Sequence, residues 1–194
     1  MKKLFWILII AALVACETTG VRTLYKTRES VSLQNIGFVD LSNDSSLAKI
    51  FPPTNDIFKQ TVPEAFENKG LKNVQYMPYL FNFDNPDAEG IKSACAQNNL
   101  DAILISHLRF INVAVNRYYR RAQIQHHTEV AMKLYDRTGK LLYNITYNTY
   151  YGNTYNTRPT AKMTIQDGTR GGVDAIMDYL YPPKKTKQNY NDPY

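Results

Sequence analysis

The sequence predicts one α/β domain: a mixed sheet with an antiparallel C-terminal meander, packed by three helices as a two-layer or three-layer sandwich. Three observations predict it. Segment 102–108 (AILISHL) is apolar at both parities, as a central strand covered on two faces requires. Segments 122–135 and 141–151 flank Asp136-Arg137-Thr138-Gly139, a hairpin turn whose glycine suits positive φ. Apolar residues also recur at helical spacing in three stretches set between or after the strands.

In chain order, 21–26 (VRTLYK) reads as an early edge strand and 31–41 (VSLQNIGFVDL) as a fuller one, closed by the turn-forming 42–46. A helix starts near Thr54, with Thr54 or Asn55 as N-cap and Asp56 in the first turn. Its apolar set is Ile57, Phe58, Val62, Ala65 and Phe66, and Lys69-Gly70 stops it. Pro63 lies inside that pattern and removes a backbone donor, which predicts a kink or a two-piece helix. Segment 73–77 (NVQYM) follows as a strand. Asp84, Asn85 or Asp87 caps a second helix, whose face is Ala88, Ile91, Ala94 and Cys95 and whose end is Asn98-Asn99.

The strand from Ala102 continues through Phe110-Ile111 to Val115, and 117–121 is its turn. In the meander, Val130, Met132 and Leu134 share one side. In the returning strand, Tyr143, Ile145 and Tyr147 share one face, and Asn144, Thr146 and Asn148 the other. A last helix runs from Pro159 to Leu180 with a sparse stripe of Ile165, Val173, Ile176 and Leu180, weakened early by Gly168, Gly171 and Gly172. Pro182-Pro183 ends it, and 182–194 reads as a disordered basic tail.

The N-terminus has a different logic. Met1-Lys2-Lys3 is cationic, Leu4 to Ala12 is apolar, and Leu13-Val14-Ala15-Cys16 closes the segment, the layout of a secretory signal peptide over 1–15. The apolar run of roughly 12 residues falls short of the about 20 that span a bilayer. The Leu-Val-Ala-Cys ending resembles the bacterial lipobox. That resemblance implies cleavage before Cys16, diacylglycerol on its thiol and a further acyl chain such as palmitate on its amine. Several chains hold firmly, because each buried CH₂ contributes about 0.8 kcal/mol. On this reading 16–30 is lipidated cysteine and tether, and 31–181 is the domain. Lipidating Cys16 leaves Cys95 without a partner, so the domain has no disulfide, and Cys95 reads as a small buried apolar residue.

The net charge is +6, and removal of Lys2 and Lys3 leaves +4. Such an excess suits anionic lipid or cell-wall polymer without requiring either. A chain tethered outside the cytoplasm does not have nucleic acid as its expected partner.

Further residues carry a family resemblance. Ile36-Gly37-Phe38-Val39-Asp40-Leu41 leads into an Asn/Ser-rich turn. Asn99-Leu100-Asp101-Ala102-Ile103-Leu104-Ile105 comes later, then Leu134-Tyr135-Asp136-Arg137-Thr138-Gly139-Lys140. Over 33–180 this resembles small bacterial envelope lipoproteins with a domain similar to the N-terminal domain of the Tol-Pal translocation protein, to peptidoglycan-synthase activator lipoproteins and to the curli secretion channel. The resemblance implies binding and assembly rather than catalysis, and transfers no catalytic residue. The curli channel lines a barrel with extra hairpins. Here the apolar-out, polar-in pattern is not sustained for the 9–11 residues that a spanning strand needs.

Chemistry is scarce. His126 and His127 are neighbours on one strand and so point to opposite faces, and His107 lies on another. The serines cluster at 42–46 without a Gly-x-Ser-x-Gly elbow. Glu64 with Glu67 and Asp174 with Asp178 read as solvated helix faces. Gly168-x-x-Gly171-Gly172 lacks the strand and Lys-Ser/Thr of a phosphate loop. The expectation is no catalytic residue, no metal and no cofactor.

Two features point to contact. Arg117-Tyr118-Tyr119-Arg120-Arg121, with Arg109 on the same hairpin, pairs guanidinium groups with tyrosines that suit wet interfaces. It reads as a partner contact or as a solubilising hairpin tip. Tyr143, Tyr147, Tyr150, Tyr151 and Tyr155, interleaved with Asn and Thr, suit a recognition surface, a self-association edge or a half-exposed strand. The function expected is that of a lipid-anchored, non-catalytic envelope lipoprotein that binds a protein or peptidoglycan partner. The alternative is an oligomeric lipoprotein of a secretion or surface-assembly apparatus, with a cryptic hydrolase as a third class. Glu17, in place of an aspartate after the cysteine, favours the outer membrane.

Overall fold

A computed structural model of the chain describes residues 19–27, 31–42, 54–79, 81–115, 123–152 and 160–182. The strands are β1 (Gly20–Lys26), β2 (Asn35–Asp40), β3 (Asn73–Tyr76), β4 (Ala102–Val115), β5 (Gln123–Asp136) and β6 (Leu141–Gly152). The helices are α1 (Thr54–Asn68), α2 (Ala88–Asn98) and α3 (Ala161–Leu180). They build one mixed sheet in the order β1-β6-β5-β4-β2-β3. β2 is parallel to both β3 and β4, and the β4, β5, β6 and β1 pairings are antiparallel. The α/β class and the C-terminal meander are as the sequence predicts.

The layers differ between the two halves of the sheet. One face packs against α1 and α3, where Phe58, Val62 and Phe66 meet Phe38, Leu104, Met132, Ile165 and Ile176. The opposite face packs against α2 over its parallel half, with Ile91, Ala94 and Cys95 on Val39, Ile103 and Ile105. Ile103 and Leu104 are both fully buried, which explains why β4 is apolar at both parities. Ser106 interrupts that run, but its hydroxyl donates to the Val39 carbonyl at 3.0 Å and so is satisfied in the core. Each fully buried side chain of this kind contributes about 1.5–3 kcal/mol.

Local signals account for the boundaries. The Asp87 carboxylate accepts from the N–H groups of Glu89 and Gly90 and starts α2, and Asn99 ends it in the left-handed region at φ 53°. Thr160 caps α3 by accepting from the Met163 N–H at 3.2 Å. The Asp136 carboxylate accepts from the N–H groups of Thr138 and Lys140, which fixes the hairpin turn, and Gly139 follows at φ 82°. α1 continues through Pro63 as one helix, not the two pieces the proline allows. Phe58, Val62, Ala65 and Phe66 are all buried around it, and that packing offsets the lost donor.

Gly20–Lys26 is the edge strand expected over 21–26, paired with β6 from Gly20↔Asn148 to Lys26↔Tyr143, so the sheet begins inside the 16–30 stretch assigned to anchor and tether. β6, the tyrosine-rich strand for which a self-association edge is one of three readings, is instead flanked by β5 and, from Tyr143 to Asn148, by β1. The edges of the sheet are β1 and β3.

Candidate functional site

The antiparallel half of the sheet has two unlike faces. Toward α3, β6 turns Tyr143, Ile145, Tyr147 and Thr149. Away from α3 it turns Asn144, Thr146, Asn148 and Tyr150, as the alternation predicts. The ladder sets this second face in rows: Lys133 beside Asn144 and Tyr25, Ala131 beside Thr146 and Arg22, and His127 beside Tyr150. Among the described residues, α2 and the segment before it lie on this side over β2, β4 and the start of the meander. Beyond them the face is polar and half-exposed.

Within it, His127 stacks on Tyr150 with ring centroids 4.1 Å apart, and its Nε2 is hydrogen-bonded to Asn148 Oδ1 at 3.2 Å. Lys133 Nζ donates to the Phe83 carbonyl at 2.8 Å and lies 4.5 Å from the Phe83 ring centroid. That contact ties the segment before α2 down at the border of the covered half. His126 points the other way, buried and stacked on Phe110 at 5.8 Å. The two adjacent histidines therefore occupy opposite faces, as the strand period requires. Among the described residues, no group of three His, Cys, Asp or Glu side chains converges.

The expected tyrosine surface is mostly internal. Tyr143 is buried and stacks on Tyr179 of α3 at 4.6 Å, and Tyr147 lies under Gly171. Tyr151 donates its hydroxyl to Asp167 Oδ2 at 2.9 Å, and that bond raises the Tyr151 pKa, with burial adding to it. Only Tyr150 of this set reaches the open face, and Tyr155 lies outside the described residues. Sequence alternation assigns the two faces of β6, but which one a helix covers is settled by α3, far along the chain.

Cys16 and the Arg117, Tyr118, Tyr119, Arg120, Arg121 group lie outside the described residues. The three glycines of α3 serve packing, since each is opposed by a side chain of β5 or β6. Of the helix carboxylates, Asp174 pairs with Lys69, just past the end of α1, at 3.0 Å.

The edge strand β1 carries the exposed apolar residues of this half. Val21, Leu24 and Tyr25 are 49%, 52% and 42% exposed. The register shifts between Thr23 and Tyr25, a bulge that bends the outer edge. Two shallow clefts of about 420 and 370 Å³ open beside β3, one lined by Lys69, Lys72 and Tyr181, the other by Asn35, Asn73, Asn98 and Asn99. Neither brings a nucleophile to a base. The arrangement offers hydrogen-bonding and stacking surfaces, which suit contact with a polar partner.

No family model matches the chain, and no curated protein matches its sequence. Solved structures with a similar course include a minor lipoprotein from Acinetobacter baumannii, at 9% identity over 76% of this chain and 92% of that one, with a TM-score of 0.46. Protein CT253 from Chlamydia trachomatis gives 7% identity over 76% and 98%, with a TM-score of 0.48. Lipoprotein GNA1162 from Neisseria meningitidis gives 14% identity over 74% and 99%, with a TM-score of 0.35.

Proposed function

We propose that this chain is a non-catalytic lipoprotein of the bacterial envelope, anchored in the outer membrane through lipid on Cys16, whose α/β domain binds a protein or peptidoglycan partner. The observation that carries the reading is the Leu-Val-Ala-Cys sequence at the end of a cationic and apolar leader. No described helix is long and apolar enough to cross a membrane. The polar face of β5 and β6 also offers Asn, Thr, His and Tyr for contact rather than a reacting constellation. The resemblance to binding and assembly lipoproteins over 33–180 points the same way.

Growing cells with alkyne-bearing palmitate tests the anchor. The wild-type chain takes up label and fractionates with membranes, while Cys16→Ala loses both. Label on the Cys16→Ala chain would sink the reading. Crosslinking in intact cells, followed by identification of the bound protein or glycan, tests the partner.

A second reading, an oligomeric component of a secretion or surface-assembly apparatus, is favoured by β1. Its outer edge is free of strands among the described residues, and Val21 and Leu24 are exposed along it. Light scattering on the detergent-solubilised protein separates the two, because a ring-sized mass would replace the monomeric adaptor.

A further inference from the structure

We propose that the end of the sheet where β1 begins faces the bilayer, so that the ends of β4 and β5 at Val115 and Gln123 lie at the lipid headgroups. The inference rests on the reading of Cys16 as the lipid anchor.

The register supplies the geometry. Gly20 sits beside Asn148, Asn148 beside Glu129, and Glu129 beside Arg109, so these four residues mark one level across the sheet. β1 runs from that level toward Lys26, and its N-terminal chain therefore leaves the sheet in the opposite direction. Thr19 continues that course, because its Oγ1 accepts from the Tyr150 N–H at 3.2 Å. β4 and β5 extend past the same level in the same direction, as far as Val115 and Gln123.

Lengths then decide the contact. Cys16 is four residue steps before Gly20, so the anchored α-carbon lies at most about 14 Å from Gly20 even with the chain fully extended. The six residues from Glu129 to Gln123 advance about 20 Å. Two steps of sheet twist, at roughly 20–25° each, turn part of that length sideways and leave about 14 Å along the β1 axis. The strand ends thus reach as far toward the lipid as a fully stretched tether can. A cysteine whose acyl chains are in the bilayer brings them to the headgroups with it. The Asp136–Lys140 turn points away, at the other end of the ladder.

The test uses the full lipidated protein in phosphatidylethanolamine–phosphatidylglycerol vesicles, with a fluorophore on Val113→Cys, on its cross-strand partner Gln125→Cys, or on Thr138→Cys. Acylated Cys16 does not label, and Cys95 is buried with its thiol pushed up to about 11. A headgroup-borne nitroxide quencher should remove most of the emission at 113 and 125 and leave 138 bright. Two positions on one ladder guard against a variant that does not fold. Equal or stronger quenching at 138, or none at either end on vesicles that the protein floats with, overturns the orientation alone. Failure to float overturns the anchor and the orientation together.

Discussion

Gly171 of α3 lies directly on the ring of Tyr147 in β6, so closely that a β-carbon at 171 would overlap the phenol carbons. Gly168 and Gly172 continue the same line. β-Carbons there would meet Thr149 Oγ1 at 3.1 Å and Met132 Sδ at 3.2 Å. The spacing that resembles a phosphate loop in the sequence is thus a seam where a helix lies close on two strands. Each glycine costs α3 about 1 kcal/mol of helix propensity, which the closer packing offsets.

Gly171→Ala should therefore lower stability by about 1–2 kcal/mol, the cost of displacing a packed ring less the propensity gained. Gly172→Ala meets a flexible methionine and should change it by less than about 1 kcal/mol. Urea denaturation measures both. In a Tyr147→Ala background the cost of Gly171→Ala should vanish. A cost that persists there would place the strain elsewhere.

Much of the fold is legible because its signals are local. The Asp87 cap, the Asn99 stop and the Asp136–Gly139 turn need only neighbours, and the double-parity apolar run of β4 announces burial on both faces. What is missed depends on distant pairing. The tyrosines of β6 look like a recognition surface until α3 covers Tyr143 with Tyr179 and Tyr147 with Gly171. β1 is legible as an edge strand over 21–26, but not its place in the domain, because its partner, β6, lies about 120 residues away and a seven-residue strand with six exposed positions carries no core signal. Of the candidate site, the proposed anchor Cys16 is marked by sequence context, whereas the open sheet face is marked only by register.

Asp40 yields a pH prediction. Burial raises its pKa from the usual 3.8, against the Ser42 hydrogen bonds and the more distant charges of Lys59 and His107. The folded state then holds the proton more tightly than the unfolded chain does. Stability from this group is present when it is protonated and is lost as pH rises from the unfolded value through the folded one. Asp40→Asn keeps an oxygen to accept from the Ser42 N–H, now at 2.8 Å, and removes the buried charge. It should be more stable than wild type at pH 7, with the gain disappearing on acidification below the carboxylate range. A variant less stable at pH 7 by thermal melting would show that the charge is stabilising where it sits.

Cys95 should behave as a reporter of unfolding. Desolvation in the α2 core, with the charges of Asp136 and Asp101 adding to it, pushes its thiol up to about 11. An unfolded cysteine ionises near 8.5, so its thiolate is far more abundant at pH 8. A Cys16→Ser chain, in which Cys95 is the single thiol, should resist a disulfide reagent at pH 8 when native and react in step with the urea transition. Rapid native reaction would mean that α2 lifts from the sheet well below the global unfolding free energy.

Thr128 and Thr149 face each other across β5 and β6, both fully buried beneath Gly168. Neither hydroxyl has a hydrogen-bond partner among the described residues. An unpaired buried hydroxyl costs about 1–3 kcal/mol, and replacing both members of such a pair by apolar groups of the same shape removes that cost without opening a cavity. Thr128→Val with Thr149→Val should therefore raise the urea midpoint at unchanged slope, each single variant giving part of the gain. The new methyl groups keep the threonine volume, so the close approach of α3 at Gly168 is preserved. A loss of stability in the double variant, with both singles also losing, would mean that the two hydroxyls are satisfied in solution. In that case the pair helps hold α3 on the meander through hydrogen bonds, and not through shape alone.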